Sequence, residues 1–176
     1  MKQFIDYQRP ETHADSAPHP ANNRFFAAIL ALTLGATVNS AFADATCAVS
    51  TSGVSFGVYD VFSSGNNDST GTISVACTGL TEGTVAYDII VSTGSGSYAL
   101  RTMASSSHQL SYNLYTDANR AIVWGDSSAG TGKVSDGYGL GLTTVIRNYP
   151  IYGRIPSRQN AFVGNYNDMP IVTINY

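Results

Sequence analysis

The chain has 176 residues, 12% of them charged, with 17 Gly, 11 Tyr and a formal net charge of −3. That length suits one domain with or without a processing segment, and the slightly acidic balance supplies no basic field for nucleic acid or an anionic membrane surface. Few charges together with abundant Gly, Tyr, Thr and Val is the composition of a β protein.

Residues 25–38, FFAAILALTLGATV, follow Arg24 and precede NSAFADATC. Ala41-Phe42-Ala43 has the small-x-small pattern of a signal peptidase site. Cleavage is therefore expected between Ala43 and Asp44, with residues 1–43 a signal peptide of unusually long n-region and residues 44–176 the mature domain. The apolar stretch is too short for a confident membrane span, so the mature chain is expected to be exported without inserting into the membrane. Cys47 and Cys77 are the only cysteines, and in an exported protein they read as one disulfide, a staple contributing about 3 kcal/mol in the chain-entropy model. No C-x-x-C suggests redox chemistry.

Short apolar/polar alternations then recur. TGTISVAC places Ile73, Val75 and Cys77 on one face, TVAYDIIVS places Val85, Tyr87, Ile89 and Val91, and QLSYNLYT places Leu110, Tyr112 and Leu114. Between them SSGNNDSTG, STGSGS and GDSSAGTGKVSDG read as loops. The chain closes on a predicted strand from Met169 to Tyr176, with Val172, Ile174 and Tyr176 on one face and Thr173 and Asn175 on the other. No stretch of residues 44–176 sustains a helical period, which points to an all-β sandwich of the immunoglobulin type.

Motifs that carry chemistry are weak. Gly53-Val-Ser55-Phe-Gly57 matches G-x-S-x-G, but a nucleophile elbow needs a strand-to-helix turn with His and Asp partners, and here no helix is predicted and His108 sits in a polar run read as a loop. Residues 130–134, GTGKV, lack the upstream Gly of a phosphate loop and carry Val134 where Ser or Thr is required. Within residues 44–176, one His and two paired Cys build no zinc centre. Asp60, Asp68, Glu82, Asp88, Asp117, Asp126, Asp136 and Asp168 are scattered, mostly beside turn residues, in no calcium-loop pattern. No catalytic residue, cofactor or metal site is expected. Trp124 and the tyrosines leave a sugar-binding platform as an alternative, although a lone Trp in a sandwich is more often core.

Five segments in order, CAVSTSGVSFGVYDV (47–61), GTISVAC (71–77), LSYNLYTDANRAIVWGD (110–126), YPIYGRIPSRQN (149–160) and VGNYNDMPIVTINY (163–176), resemble the spore coat protein U domain family, the pilins of archaic chaperone–usher (sigma or Csu-type) fimbriae. The resemblance covers essentially all of residues 44–176. It implies an immunoglobulin-like sandwich lacking its final strand, with a groove filled by a periplasmic chaperone in transit and by a neighbouring subunit in the fibre. The implied partners are that chaperone, an outer-membrane usher and other pilin subunits, and the implied location is the periplasm and then the cell surface.

Val172, Ile174 and Tyr176 become the expected groove wall, with the terminal carboxylate of Tyr176 available to a basic chaperone residue. The alternative is an interior strand paired on both sides within the chain. Polymerising members carry an alternating apolar extension before the first cysteine; with cleavage after Ala43 only Asp44-Ala-Thr46 precedes Cys47, about 10 Å of chain at full extension. That fits a tip or terminal subunit, which accepts a strand and gives none. The competing functions are a free-standing secreted carbohydrate-binding sandwich, resting on Trp124 and loop tyrosines, and a secreted hydrolase, resting on Ser55.

Overall fold

A computed structural model describes residues 44–176. Among the described residues there is no helix, hence none long and apolar enough to cross a membrane, and the chain forms strands β1 (Ala45–Thr51), β2 (Asn67–Gly79), β3 (Gly83–Val91), β4 (Arg101–Ser105), β5 (His108–Tyr115), β6 (Val134–Leu140), β7 (Thr144–Ile155) and β8 (Val172–Asn175). They make two antiparallel sheets, one in the order β1-β2-β7-β5-β4 and one in the order β6-β3-β8. Ile73, Val75, Cys77 and Ile151 from the larger sheet and Val85, Tyr87, Ile89 and Val91 from the smaller one belong to a single buried cluster. The all-β sandwich expectation is met.

The period-2 reading works because one face of each strand is core and the other solvent. Every inward residue predicted for β2, β3 and β5 is buried. Boundaries differ. SSGNNDSTG is not wholly a loop, since Asn67–Gly71 already belong to β2 and pair with Ile151–Ile155 of β7. GDSSAGTGKVSDG likewise runs into β6, whose glycines at 137 and 139 dilute its alternation. ASSSHQ is a tight hairpin, with Ser106 at φ 51° and His108 opening β5.

Cys47 and Cys77 lie directly opposite each other on β1 and β2, with Cα atoms 4.1 Å apart, and are disulfide-bonded. The bridge fastens the edge strand β1 to the interior strand β2. Ala43 and the predicted signal peptide lie outside the described residues. Asp44 donates its N–H to Thr81 Oγ1 (3.1 Å) and accepts from Leu80 N (2.7 Å).

Two glycines allow the connection after β1 to cross the inner face of the larger sheet. A Cβ on Gly71 would collide with the backbone of Gly53, and one on Gly153 would lie within 2.9 Å of Val54 and Phe56. Gly53 and Gly57 themselves have φ of 69° and 67°, so the short path between them turns sharply at both ends. Val54 and Phe56 are thereby half-buried while Ser55 is exposed, its carbonyl accepting from Ser69 Oγ (2.5 Å). The G-x-S-x-G stretch is an irregular crossover, without the strand-to-helix turn a nucleophile elbow requires.

Candidate functional site

β8 is an edge strand: among the described residues it pairs with β3 alone, in the register Val91↔Val172, Ile89↔Ile174 and Asp88↔Asn175. In an antiparallel pair, residues alternate between those whose N–H and C=O both face the partner and those for which both face away. Ser92 N donates to Ile171 O (2.9 Å), just before the strand, and so fixes the phase. Thr173 and Asn175 therefore direct their backbone groups at β3, and Val172 and Ile174 direct theirs at the open side.

Val172 and Ile174 are also the half-buried residues of the strand, packed on the core, while Thr173 and Asn175 are exposed. The same two residues thus offer apolar side chains inward and, sideways, backbone groups that no strand among the described residues pairs with. The strand is shorter than the predicted Met169–Tyr176. Pro170 has no N–H to donate, and the Ile171 N–H is taken by Ser92 Oγ (2.8 Å) instead of a ladder partner. Tyr176 is largely exposed, and its hydroxyl accepts from Cys47 N (3.3 Å). It reaches across to β1 at one end of the opening.

β1 repeats the pattern from the other sheet. Leu80 N–Asp44 O and Ser52 N–Thr72 O bonds set its phase, so that Ala45, Cys47 and Val49, which pack on the core, turn their backbone groups away from β2. The opening is bounded by two strand edges of like construction. Neither β1 nor β8 carries a charged side chain.

At the Val172 end the opening widens into a cavity of about 360 Å³, walled by Val54, Phe56, Met103, Met169, Pro170 and Val172. Asp168 borders it but is engaged, accepting from Ser95 N (3.0 Å) and Tyr112 Oη (2.6 Å). Burial and that bond to Asp168 push the Tyr112 phenol well above its ordinary range. Arg101, fully buried, was not singled out by sequence. It donates to Ser92 O (2.8 Å), Trp124 O (2.7 Å) and Asn113 Oδ1 (2.5 Å), and burial holds its guanidinium below the usual value. By clamping the Ser92 backbone it holds the residue that receives Ile171 at the start of β8.

The other candidates are structural. Trp124 is 0% exposed and donates Nε1–H to Ile89 O (3.0 Å), so it is a core residue and offers no face to a sugar. Asp68 binds Arg154 and Arg120, Asp88 binds Lys133, Asp136 accepts from Tyr149, and Asp117 and Asp126 accept from nearby backbone N–H groups. Among the described residues no group of His, Cys, Asp and Glu is arranged to hold a metal ion.

The family model of the Spore Coat Protein U domain matches residues 32–173, which takes in all of β1–β7 and the start of β8. The chain belongs to the Spore Coat Protein U domain family. The match begins ahead of the expected cleavage between Ala43 and Asp44. Protein U of Myxococcus xanthus is 39% identical over 112 residues, 61% of this chain and 59% of that protein. The aligned part thus spans about three-fifths of that relative's length. Among solved structures, a chain of the CsuC–CsuE chaperone–tip adhesion subunit pre-assembly complex from the archaic chaperone–usher Csu pili of Acinetobacter baumannii is similar in fold, with TM-score 0.51 and 16% identity over 75% of this chain and 40% of that one.

Proposed function

We propose that this Spore Coat Protein U domain protein is an exported, non-catalytic subunit of a chaperone–usher pilus or a related surface layer, assembled by insertion of a partner strand between β8 and β1. The observation that carries the reading is the double orientation of Val172 and Ile174, apolar inward and backbone-unpaired at the open edge. An exposed edge of this kind invites pairing, and no bulge, lysine or inward-pointing charge blunts it. The partners on this reading are a periplasmic chaperone, an outer-membrane usher and other subunits. The route runs through the periplasm to the cell surface after cleavage between Ala43 and Asp44. The carbohydrate-binding alternative is left with its loop tyrosines alone, since Trp124 is buried.

The terminal-subunit role is part of the proposal and depends on the mature start. A start at Asp44 leaves too little chain to donate, whereas a start upstream of residue 32 would retain LTLGATV, in which Leu32 and Leu34 alternate with polar or small residues. Periplasmic expression of the full chain with and without a chaperone of this class, followed by size-exclusion chromatography and intact mass, tests both parts. The expected result is a one-to-one complex that rescues an otherwise aggregating subunit whose mass begins at Asp44. A stable monomer indifferent to the chaperone overturns the strand-acceptor reading. A longer mass overturns the terminal role alone.

A further inference from the structure

Among the described residues the two sheets are joined covalently through the backbone alone, since Cys47–Cys77 links β1 to β2 within the larger sheet. A side-chain cluster spans them on the flank where β6 ends the smaller sheet. It gathers Tyr87 from β3, Asp136 and Tyr138 from β6, and Arg147 and Tyr149 from β7. The Tyr87 and Tyr149 hydroxyls lie 2.6 Å apart, and Tyr149 Oη donates to Asp136 Oδ2 (2.5 Å). With the Tyr149 proton directed at the carboxylate, Tyr87 is the donor between the two phenols. The bonds therefore run in one direction, from Tyr87 to Tyr149 to Asp136.

Among the described residues no other two phenols are bonded to each other. Tyr138 packs edge-on to Tyr87, with centroids 6.1 Å apart, but its hydroxyl is buried without a hydrogen-bond partner and so has no acceptor for its proton. Tyr112 does donate to a carboxylate, Asp168 (2.6 Å), yet the ring edge-on to it is Phe56 and not a second phenol. Only Tyr149 has both a phenol and a carboxylate within reach. Its bond holds the Asp136 carboxyl below the usual range, so the acceptor is ionised at neutral pH. Burial and the bond to Asp136 push the Tyr149 phenol well above its ordinary range, so it meets an oxidant as the neutral phenol. Such a phenol loses an electron and a proton together, the proton crossing one short hydrogen bond to a base already in place.

We propose that Tyr87 and Tyr149 form an oxidative cross-linking site, at which hydrogen peroxide acting through a haem peroxidase couples the two rings into dityrosine. Tyr87 is 3% exposed and Tyr149 half-buried, so Tyr149 is the ring that is oxidised first. Its electron goes to the peroxidase, and its proton to Asp136 and then to water. Tyr87 next gives the hydrogen atom of its hydroxyl to the Tyr149 oxygen along the bond it already makes, and Tyr149 is oxidised a second time in the same way. The two phenoxyl radicals join through a bond between ortho carbons, whose hydrogens move to the phenol oxygens as the rings regain aromaticity. In balance, two tyrosines and one hydrogen peroxide give one dityrosine and two waters. The rings start perpendicular with centroids 6.3 Å apart, and the ortho carbons flank hydroxyls that already touch. The product ties β3 of the smaller sheet to β7 of the larger one and leaves β1 and β8 untouched, so the site stands independently of the strand-acceptor reading.

The test treats dilute protein, obtained from expression of the full chain, with a haem peroxidase and limiting hydrogen peroxide. The monomer fraction is then read by dityrosine fluorescence and by mass spectrometry after proteolysis. The expected product is a monomer lighter by two hydrogens, with the peptides carrying Tyr87 and Tyr149 joined and a thermal midpoint raised by about 5 °C or more. Tyr149→Phe and Tyr87→Phe, which keep the rings, should each abolish the link, whereas Tyr138→Phe should retain it. Asp136→Asn should slow its formation at least about tenfold. The site is overturned by an absence of linked monomer in the parent, by dityrosine mapped to other tyrosines or confined to dimers, or by a link that survives Tyr149→Phe. A rate in Asp136→Asn equal to the parent's overturns the part given to the carboxylate.

Discussion

Arg101 shows how much of the site's geometry depends on one side chain distant from the open edge in sequence. It is 0% exposed and faces no carboxylate directly; its donors go to the carbonyls of Val91, Ser92 and Trp124 and to Asn113 Oδ1. Arg101→Met would keep the volume and strand those acceptors, so a loss of about 3 kcal/mol or more is expected in urea denaturation, since each buried unsatisfied group costs on the order of 1–3 kcal/mol. Arg101→Lys should fare little better, because an ammonium cannot reproduce the planar fork. Asp68 belongs to the same scale. Its hydrogen bond from Arg154, helped by the nearby charge of Arg120, holds the carboxyl below the usual range. A depressed folded-state value means stability that is present above the ordinary carboxylate range and lost as pH falls through the folded value. Denaturation midpoints measured from neutral to strongly acidic pH should therefore fall less steeply for Asp68→Asn than for the parent. A parallel pair of curves would show that Asp68 contributes nothing to the acid sensitivity. Neither residue was conspicuous in the sequence: RTMAS carries too few positions to reveal a period, and the partners of Asp68 lie 52 and 86 residues away.

On the proposed function, β8 is the element that receives the partner strand. On its inward face Ile174 stands opposite Ile89, and on its outer face Thr173 stands opposite Ile90. Ile174→Asp places a charge against the core side of the groove, which is expected to abolish the chaperone complex in the co-expression experiment. Thr173→Asp adds the same charge to the exposed face and should leave the complex intact. Loss of both complexes would mean that charge on β8, whichever face it occupies, is what matters. The alternation of Val172, Ile174 and their neighbours was legible because one face of the strand is buried and the other is not. Its length was not, since the Met169-Pro170 start depends on a side-chain bond from Ile171 to Ser92, far away in sequence. β6 escaped for the opposite reason: at an edge and rich in glycine, it has few side chains to carry a pattern. The Cys47–Cys77 pairing needed no geometry, because two cysteines in an exported chain allow one bridge. What the spacing did not reveal is that the bridge reinforces β1, the second bank of the opening.

At the largest scale, the described residues 44–176 form a sandwich in which β1 and β8 are edge strands. The smaller sheet ends at β8 and the larger at β1, and the Cys47–Tyr176 contact brings these two edges close at one end. Sequence periodicity placed the core residues but was silent on the cavity at the Val172 end, because its walls come from segments far apart in sequence: Val54 and Phe56, Met103, and Met169 and Pro170. The open edge itself makes a residue-specific demand. Backbone groups of Thr173 and Asn175 are directed at β3, and those of Val172 and Ile174 have no strand partner among the described residues.

Amide hydrogen exchange at these four positions, measured by NMR on the subunit alone and in its chaperone complex, tests that demand most directly. Thr173 and Asn175 should be protected in both states, whereas Val172 and Ile174 should exchange rapidly in the free subunit and become protected only in the complex. Equal protection of all four in the free subunit would mean that the sheet is already closed at β8, and would contradict the strand-acceptor function.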